Sequence, residues 1–211
     1  MKVLKKNLTR KKLYVFFITI TLIIVLATIF ILKNQKINNK TIKNGNNKST
    51  KEIENYLLNI KGYKANLDVK IISNKNENNY KIFQEVNENE EYEKINEPQN
   101  IEGMEIIYSN STLTIKNTNL NVEKIYNNYE NLSNNNLFLT DFLKTYKNEN
   151  KNKKIFEKNE CIYLVLNGSN IYEKEKILTI NKENLTPTSL EIFDTNKKRR
   201  IYIYYSNIEM Y

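Results

Sequence analysis

Leu13 to Leu32 (LYVFFITITLIIVLATIFIL) is an uninterrupted run of twenty uncharged residues. At 1.5 Å per residue a helix over it is about 30 Å long, the thickness of a bilayer core. Lys2, Lys5, Lys6, Arg10, Lys11 and Lys12 precede it. A cleaved secretory signal has a shorter apolar stretch that ends in small residues, whereas Ile29, Phe30, Ile31 and Leu32 run straight into Lys33. The pattern predicts a single-pass, uncleaved signal anchor from Leu13 to Leu32 in the cell membrane, behind a basic cytoplasmic tail of residues 1–12. The Arg10-Lys11-Lys12 cluster is tighter than the Lys33, Lys36, Lys40, Lys43 and Lys48 series that follows the span. The positive-inside bias then holds the N-terminus in the cytoplasm and exports the rest of the chain. Residues 33–48 (KNQKINNKTIKNGNNK) lack periodicity and read as a flexible tether. A basic patch for a membrane surface is the alternative reading of the same lysines.

The formal net charge of +9 would suggest nucleic acid if it covered a folded surface. It does not, because residues 1–48 hold eleven Lys or Arg and no acid, while residues 49–211 hold 22 basic and 24 acidic side chains. The expected domain is therefore nearly neutral, and no nucleic-acid partner is expected. Histidine is absent from all 211 residues, which removes Ser-His-Asp and Cys-His nucleophiles and His-bearing zinc sites. A lone Cys161 excludes an internal disulfide. Gly45, Gly62, Gly103 and Gly168 are too scattered for a phosphate-binding loop. The expectation is a protein that is not an enzyme and carries no cofactor or metal.

Ser49-Thr50-Lys51-Glu52 has capping-box spacing, so the domain is expected to begin at residue 49. Ile53, Tyr56, Leu57 and Ile60 follow with helical spacing over about 50–60, and Gly62 is placed to end the helix. From Tyr63 the period becomes two: Tyr63, Ala65, Leu67, Val69 and Ile71 alternate with Lys64, Asn66, Asp68 and Lys70. Strand patterns recur at about 80–87, 91–96, 104–109 and 112–117. A second helical pattern over 136–148 carries Leu139, Phe142, Leu143 and Tyr146, after an Asn run placed to cap it. Further strands are expected at about 154–158, 161–167, 174–181, 188–194 and 200–206. With Asn-rich turns between most of them, the strands form a meander. The fold class is α+β, a curved antiparallel sheet forming an open half-barrel around two or so helices, with Leu139, Phe142 and Leu143 filling its concavity.

Candidate sites have bland alternatives. Cys161 opens an apolar strand and reads as a small core residue. Glu90 and Glu91 form a carboxylate pair of the kind glycosidases use, but read better as solvated strand ends. Tyr202, Tyr204 and Tyr205 alternate with Ile201 and Ile203, so at least one sheet face displays tyrosine as a candidate partner surface.

The stretch Glu97-Pro98-Gln99-Asn100-Ile101-Glu102-Gly103-Met104-Glu105-Ile106-Ile107-Tyr108-Ser109-Asn110, followed by Leu113-Thr114-Ile115-Lys116-Asn117, resembles a strand pair of clostridial LolA-like proteins. This is the family of the spore germination lipoprotein GerS. Phe142-Leu143, Pro187 to Asp194 and Ile203-Tyr204-Tyr205-Ser206-Asn207 continue the likeness, which spans about residues 49–211. It implies a LolA-like sheet displayed outside the cytoplasmic membrane of a spore former. It also implies a non-enzymatic accessory role in germination and cortex peptidoglycan processing, with a CwlD-type N-acetylmuramoyl-L-alanine amidase as protein partner. Leu26 to Leu32 lacks the cysteine that a lipoprotein would modify, which fits anchoring by a helix instead. Lys144, Tyr202 and Tyr204 are the expected contact residues. Two other readings stand beside this one: a carrier holding a lipid or other apolar ligand in the concave face, and a structural envelope protein, such as a homodimer, pairing through exposed strands.

Overall fold

The computed structural model describes residues 48–129 and 137–211. The expected basic tail, the Leu13–Leu32 anchor and all of the tether except Lys48 lie outside the described residues. Among the described residues no helix is long and apolar enough to cross a membrane.

The domain opens on the capping box. The Ser49 amide donates to Glu52 Oε2 at 2.9 Å, and the Glu52 amide donates to Ser49 Oγ at 3.3 Å. Helix α1 (Thr50–Leu57) follows and buries Ile53 and Leu57. It is shorter than the periodicity suggested, because Leu58 caps it and the chain turns towards the sheet. Gly62 does not end the helix. A Cβ there would collide with the Val86 carbonyl oxygen and the Tyr211 ring, so glycine permits a close approach of backbones.

Strands β1 (Tyr63–Ile72), β2 (Glu77–Val86), β3 (Glu90–Glu97), β4 (Met104–Ser109), β5 (Thr112–Asn117) and β6 (Val122–Tyr126) form the first meander. Helix α2 (Leu139–Asn148) intervenes, and β7 (Lys153–Lys158), β8 (Cys161–Asn167), β9 (Glu175–Asn181), β10 (Pro187–Phe193) and β11 (Arg199–Met210) form the second. The two meanders join where the first strand meets the last, giving one eleven-stranded antiparallel sheet in the order β6-β5-β4-β3-β2-β1-β11-β10-β9-β8-β7. The sheet does not close, since β6 and β7 are both edges. Asparagine supplies the turns: Asn110-Ser111 and Asn159-Glu160 have positive φ at both positions, the conformation of a two-residue hairpin loop that matches strand twist. Asparagine tolerates that region better than most residues.

Strand alternation sorts the residues onto two faces. The inner face carries Leu67, Val69, Ile82, Ile162, Leu164, Leu178, Ile180, Leu190, Ile192 and Ile203, each at most 4% exposed. The helices contribute Ile53, Leu57, Leu139, Phe142, Leu143 and Tyr146 to the same core. A fully buried aliphatic side chain contributes roughly 1.5–3 kcal/mol, so this layer dominates stability. Strand β6 and the short 3₁₀ turns Gln99–Ile101 and Thr118–Leu120 were not expected from the sequence. Phe138 stands at the α2 cap position and makes no side-chain cap bond; the Asn run expected to cap the helix lies outside the described residues.

Candidate functional site

On the outer face, register aligns residues from eight strands into one row. Phe156 (β7) stands opposite Tyr163 (β8), Tyr163 opposite Thr179 (β9), Thr179 opposite Ser189 (β10) and Ser189 opposite Tyr204 (β11). The row continues from Tyr204 to Asp68 (β1), Lys81 (β2) and Glu97 (β3). One half is aromatic and hydroxylic, the other charged. Phe156 and Tyr163 stack with centroids 5.0 Å apart, and Tyr204 is 45% exposed.

Tyr202 occupies the adjoining row, between Glu191 and Lys70. The Arg199 guanidinium lies 4.5 Å from the centre of its ring and also bonds Glu191 Oε2 at 2.9 Å. Tyr202, Asp68, Lys70, Asn79, Lys81 and Glu97 line an open furrow of about 300 Å³. Its charges are mostly satisfied: Lys81 Nζ meets Glu97 Oε1 at 2.8 Å and Lys70 Nζ meets Glu77 Oε1 at 2.7 Å. The hydrogen bond to Glu97 raises the Lys81 ammonium above its ordinary value, and Lys70 lowers the Glu77 carboxyl by the same kind of bond. Such pairs add little stability at an exposed site, but they fix the pattern of charge a partner meets.

Of the expected contact residues, the structure brings Tyr202 and Tyr204 together and separates Lys144 from them. Lys144 is an exposed residue of α2, and the start of α2 is bonded to inner-face side chains. Tyr205 departs from its neighbour: adjacent in sequence to Tyr204, it must take the opposite face, and it is 3% exposed with a buried hydroxyl that finds no hydrogen-bond partner among the described residues. Leu139, Phe142 and Leu143 are buried on one side of α2. Glu90 and Glu91 stand on opposite faces of β3 and do not converge. Cys161 is half-buried, and among the described residues no cluster of Cys, Asp and Glu is arranged to hold a metal.

The inner face contains a polar network that the sequence reading missed. Tyr63 Oη donates to Gln84 Oε1 at 2.6 Å. Gln84 Nε2 donates to Glu93 Oε1 and, at 3.3 Å, to the Leu137 carbonyl. The Leu139 amide, at the start of α2, donates to the Tyr63 hydroxyl at 3.1 Å. Tyr63 therefore serves the free helix amide that Phe138 leaves without a side-chain acceptor. Burial pushes the Glu93 carboxyl above the ordinary carboxylate range, against the pull of its Gln84 bond. Burial likewise raises the Tyr63 and Tyr205 hydroxyls. The signal was parity: Gln84 lies between Ile82 and Val86, and Glu93 lies two residues before Ile95, so both share the apolar face.

No protein-family model and no curated protein matches the sequence. Solved structures similar to it include the CwlD amidase from Clostridioides difficile in complex with the GerS lipoprotein, at 18% identity over 75% of this chain and 92% of the other, with a TM-score of 0.49. An uncharacterized conserved protein from Thermus thermophilus matches at 10% identity over 78% of this chain and 88% of its own, with a TM-score of 0.50. A LolA superfamily protein from Nitrosomonas europaea matches at 12% identity over 76% of this chain and 93% of its own, with a TM-score of 0.37. The likeness to the Thermus thermophilus protein extends to the fold alone, an unclosed antiparallel sheet with helices.

Proposed function

We propose that this chain is a membrane-anchored accessory protein that binds and activates a cell-wall amidase of the CwlD type during spore cortex processing. The observation that carries the reading is the outer face of the sheet, where Tyr202 and Tyr204 rise among fixed ion pairs beside a furrow of about 300 Å³. A half-buried and an exposed tyrosine set in a polar rim suit a protein partner, because a ring gives large contact area at small cost in side-chain entropy. The lack of histidine anywhere in the sequence supports binding over catalysis. The choice of an amidase rests on the likeness of Glu97 to Asn117 to the LolA-like family, a stretch that here forms the β4–β5 hairpin and the turn leading into it.

In this reading residues 1–12 stay in the cytoplasm, Leu13 to Leu32 anchor the chain, residues 33–48 tether it, and residues 49–211 work outside the membrane. No cofactor takes part. A second reading, a carrier for a lipid or other apolar ligand, is favoured by one feature. Ile106, Tyr108, Leu113 and Ile115 continue the apolar inner face onto β4 and β5 but are only half-buried.

Co-purification from sporulating cells, with the full chain as bait, tests both. The proposal predicts a CwlD-type amidase retained by the wild type and lost with Tyr202→Ser and Tyr204→Ser together. Absence of any amidase, with a stoichiometric lipid in its place, decides for the carrier.

A further inference from the structure

The α2 helix starts without a side-chain cap of its own. Its first turn is instead held to the sheet by three groups in series. The Leu139 amide bonds Tyr63, Tyr63 bonds Gln84, and Gln84 bonds both the Leu137 carbonyl and Glu93. Glu93 is the end of this series and is only 4% exposed. We infer that Glu93 is a proton-operated latch: its neutral carboxyl keeps the first turn of α2 docked on the sheet, and its ionisation releases that turn.

The surroundings of Glu93 favour this role. Across β2 it faces neutral Gln84, and across β4 it faces Ile106. On its own strand Glu91 shares the inner face, and on β1 and β11 the nearby titratable groups are the hydroxyls of Tyr63 and Tyr205, both raised by burial. Helix α2 brings Asp141 in its first turn. No lysine or arginine among the described residues pairs with Glu93, and burial and the Gln84 bond are the two influences upon it. A carboxylate without a cation is costly in so dry a place unless water reaches it. Gln84, which bonds Glu93, also bonds the Leu137 carbonyl just before α2, so admitting water from that side means lifting the start of α2. That motion bares Leu139, Phe142 and Leu143, which are otherwise buried.

The sign follows from the direction of the shift. A carboxyl raised in the docked state favours docking while it is protonated, and the advantage is lost as pH rises through its raised value. The latch is closed in acid and opens towards alkaline pH. It does not depend on which partner the outer face binds.

Amide hydrogen exchange of the full chain across pH tests the latch, after correction for the intrinsic exchange rate at each pH. Protection of residues 139–143 is expected to fall by up to about tenfold per pH unit between the ordinary carboxyl value and the raised value of docked Glu93, where each opening releases one proton, and to level off above it. Protection of β8 should stay constant over the same range. Glu93→Gln should keep protection at 139–143 high and flat. Tyr63→Phe, which breaks the link without removing the acid, should lower it at every pH and preserve the slope. A flat wild-type profile overturns the proposal whether or not the variants fold. So does a parallel fall in β8, which would assign Glu93 to global stability, or a Glu93→Gln slope equal to that of the wild type.

Discussion

Strands β8 to β10 and strands β4 to β6 are both three-stranded antiparallel meanders, yet only the first is a core. Ile162, Leu164, Leu178, Ile180, Leu190 and Ile192 are at most 1% exposed. Strands β4 and β5 are half-buried along nearly their whole length, and every residue of β6 is exposed. Alternation decides which face a side chain takes, while burial depends on what lies over that face. Side chains of α1 and α2 belong to the buried core along with those of β8 to β10, whereas β4 to β6 bury only Asn117.

The largest test of this contrast is a pair of truncations. Leu164→Ala should cost about 2–5 kcal/mol, because surrounding groups relax only partly around the cavity. Ile115→Ala, at a half-buried site, should cost less than about 1.5 kcal/mol by scaled area loss. Denaturant unfolding of both variants measures the difference, and equal losses would mean that β5 has cover in solution.

Next in size is Tyr63→Phe, which leaves the Leu139 amide and Gln84 Oε1 without their partner. A cost of about 1–3 kcal/mol is expected, read from the same unfolding curves. Ser49→Ala should follow at about 0.5–2 kcal/mol, since both halves of the capping box are present. Unchanged stability would place the working start of the domain elsewhere. Smallest of all is Tyr204→Ser on the outer face, within about 0.5 kcal/mol of wild type. A larger loss would make Tyr204 part of the fold and remove it from the proposed binding surface.

Much of this architecture is readable from the residues. The change of period at Tyr63 marks the first strand, and Ser49 with Glu52 marks the first helix, because these signals are local. Strand β6 escaped notice since Val122-Glu123-Lys124-Ile125-Tyr126 lacks strict alternation and has only one neighbour to pair with. The meeting of β1 with β11 escaped too, for it joins residues about 140 positions apart that no short-range pattern links. Tyr202 and Tyr204 could be placed on a displayed face by parity, whereas Lys144 fell away from them because a helix period says nothing about which sheet face the helix covers. The inner network was hidden for a different reason. Gln84 and Glu93 look like ordinary polar residues until pairing sets them side by side beneath α2.

The central claim is that the sheet acts by binding and has no chemistry of its own. Titrating the full chain into a CwlD-type amidase, with peptidoglycan as substrate, tests it most directly. The account predicts no hydrolysis by the chain alone, a rise in amidase activity that saturates as a binding equilibrium does, and a curve shifted to higher concentration by Tyr202→Ser with Tyr204→Ser. Hydrolysis without the amidase, or an amidase rate unmoved at saturating protein, would contradict it.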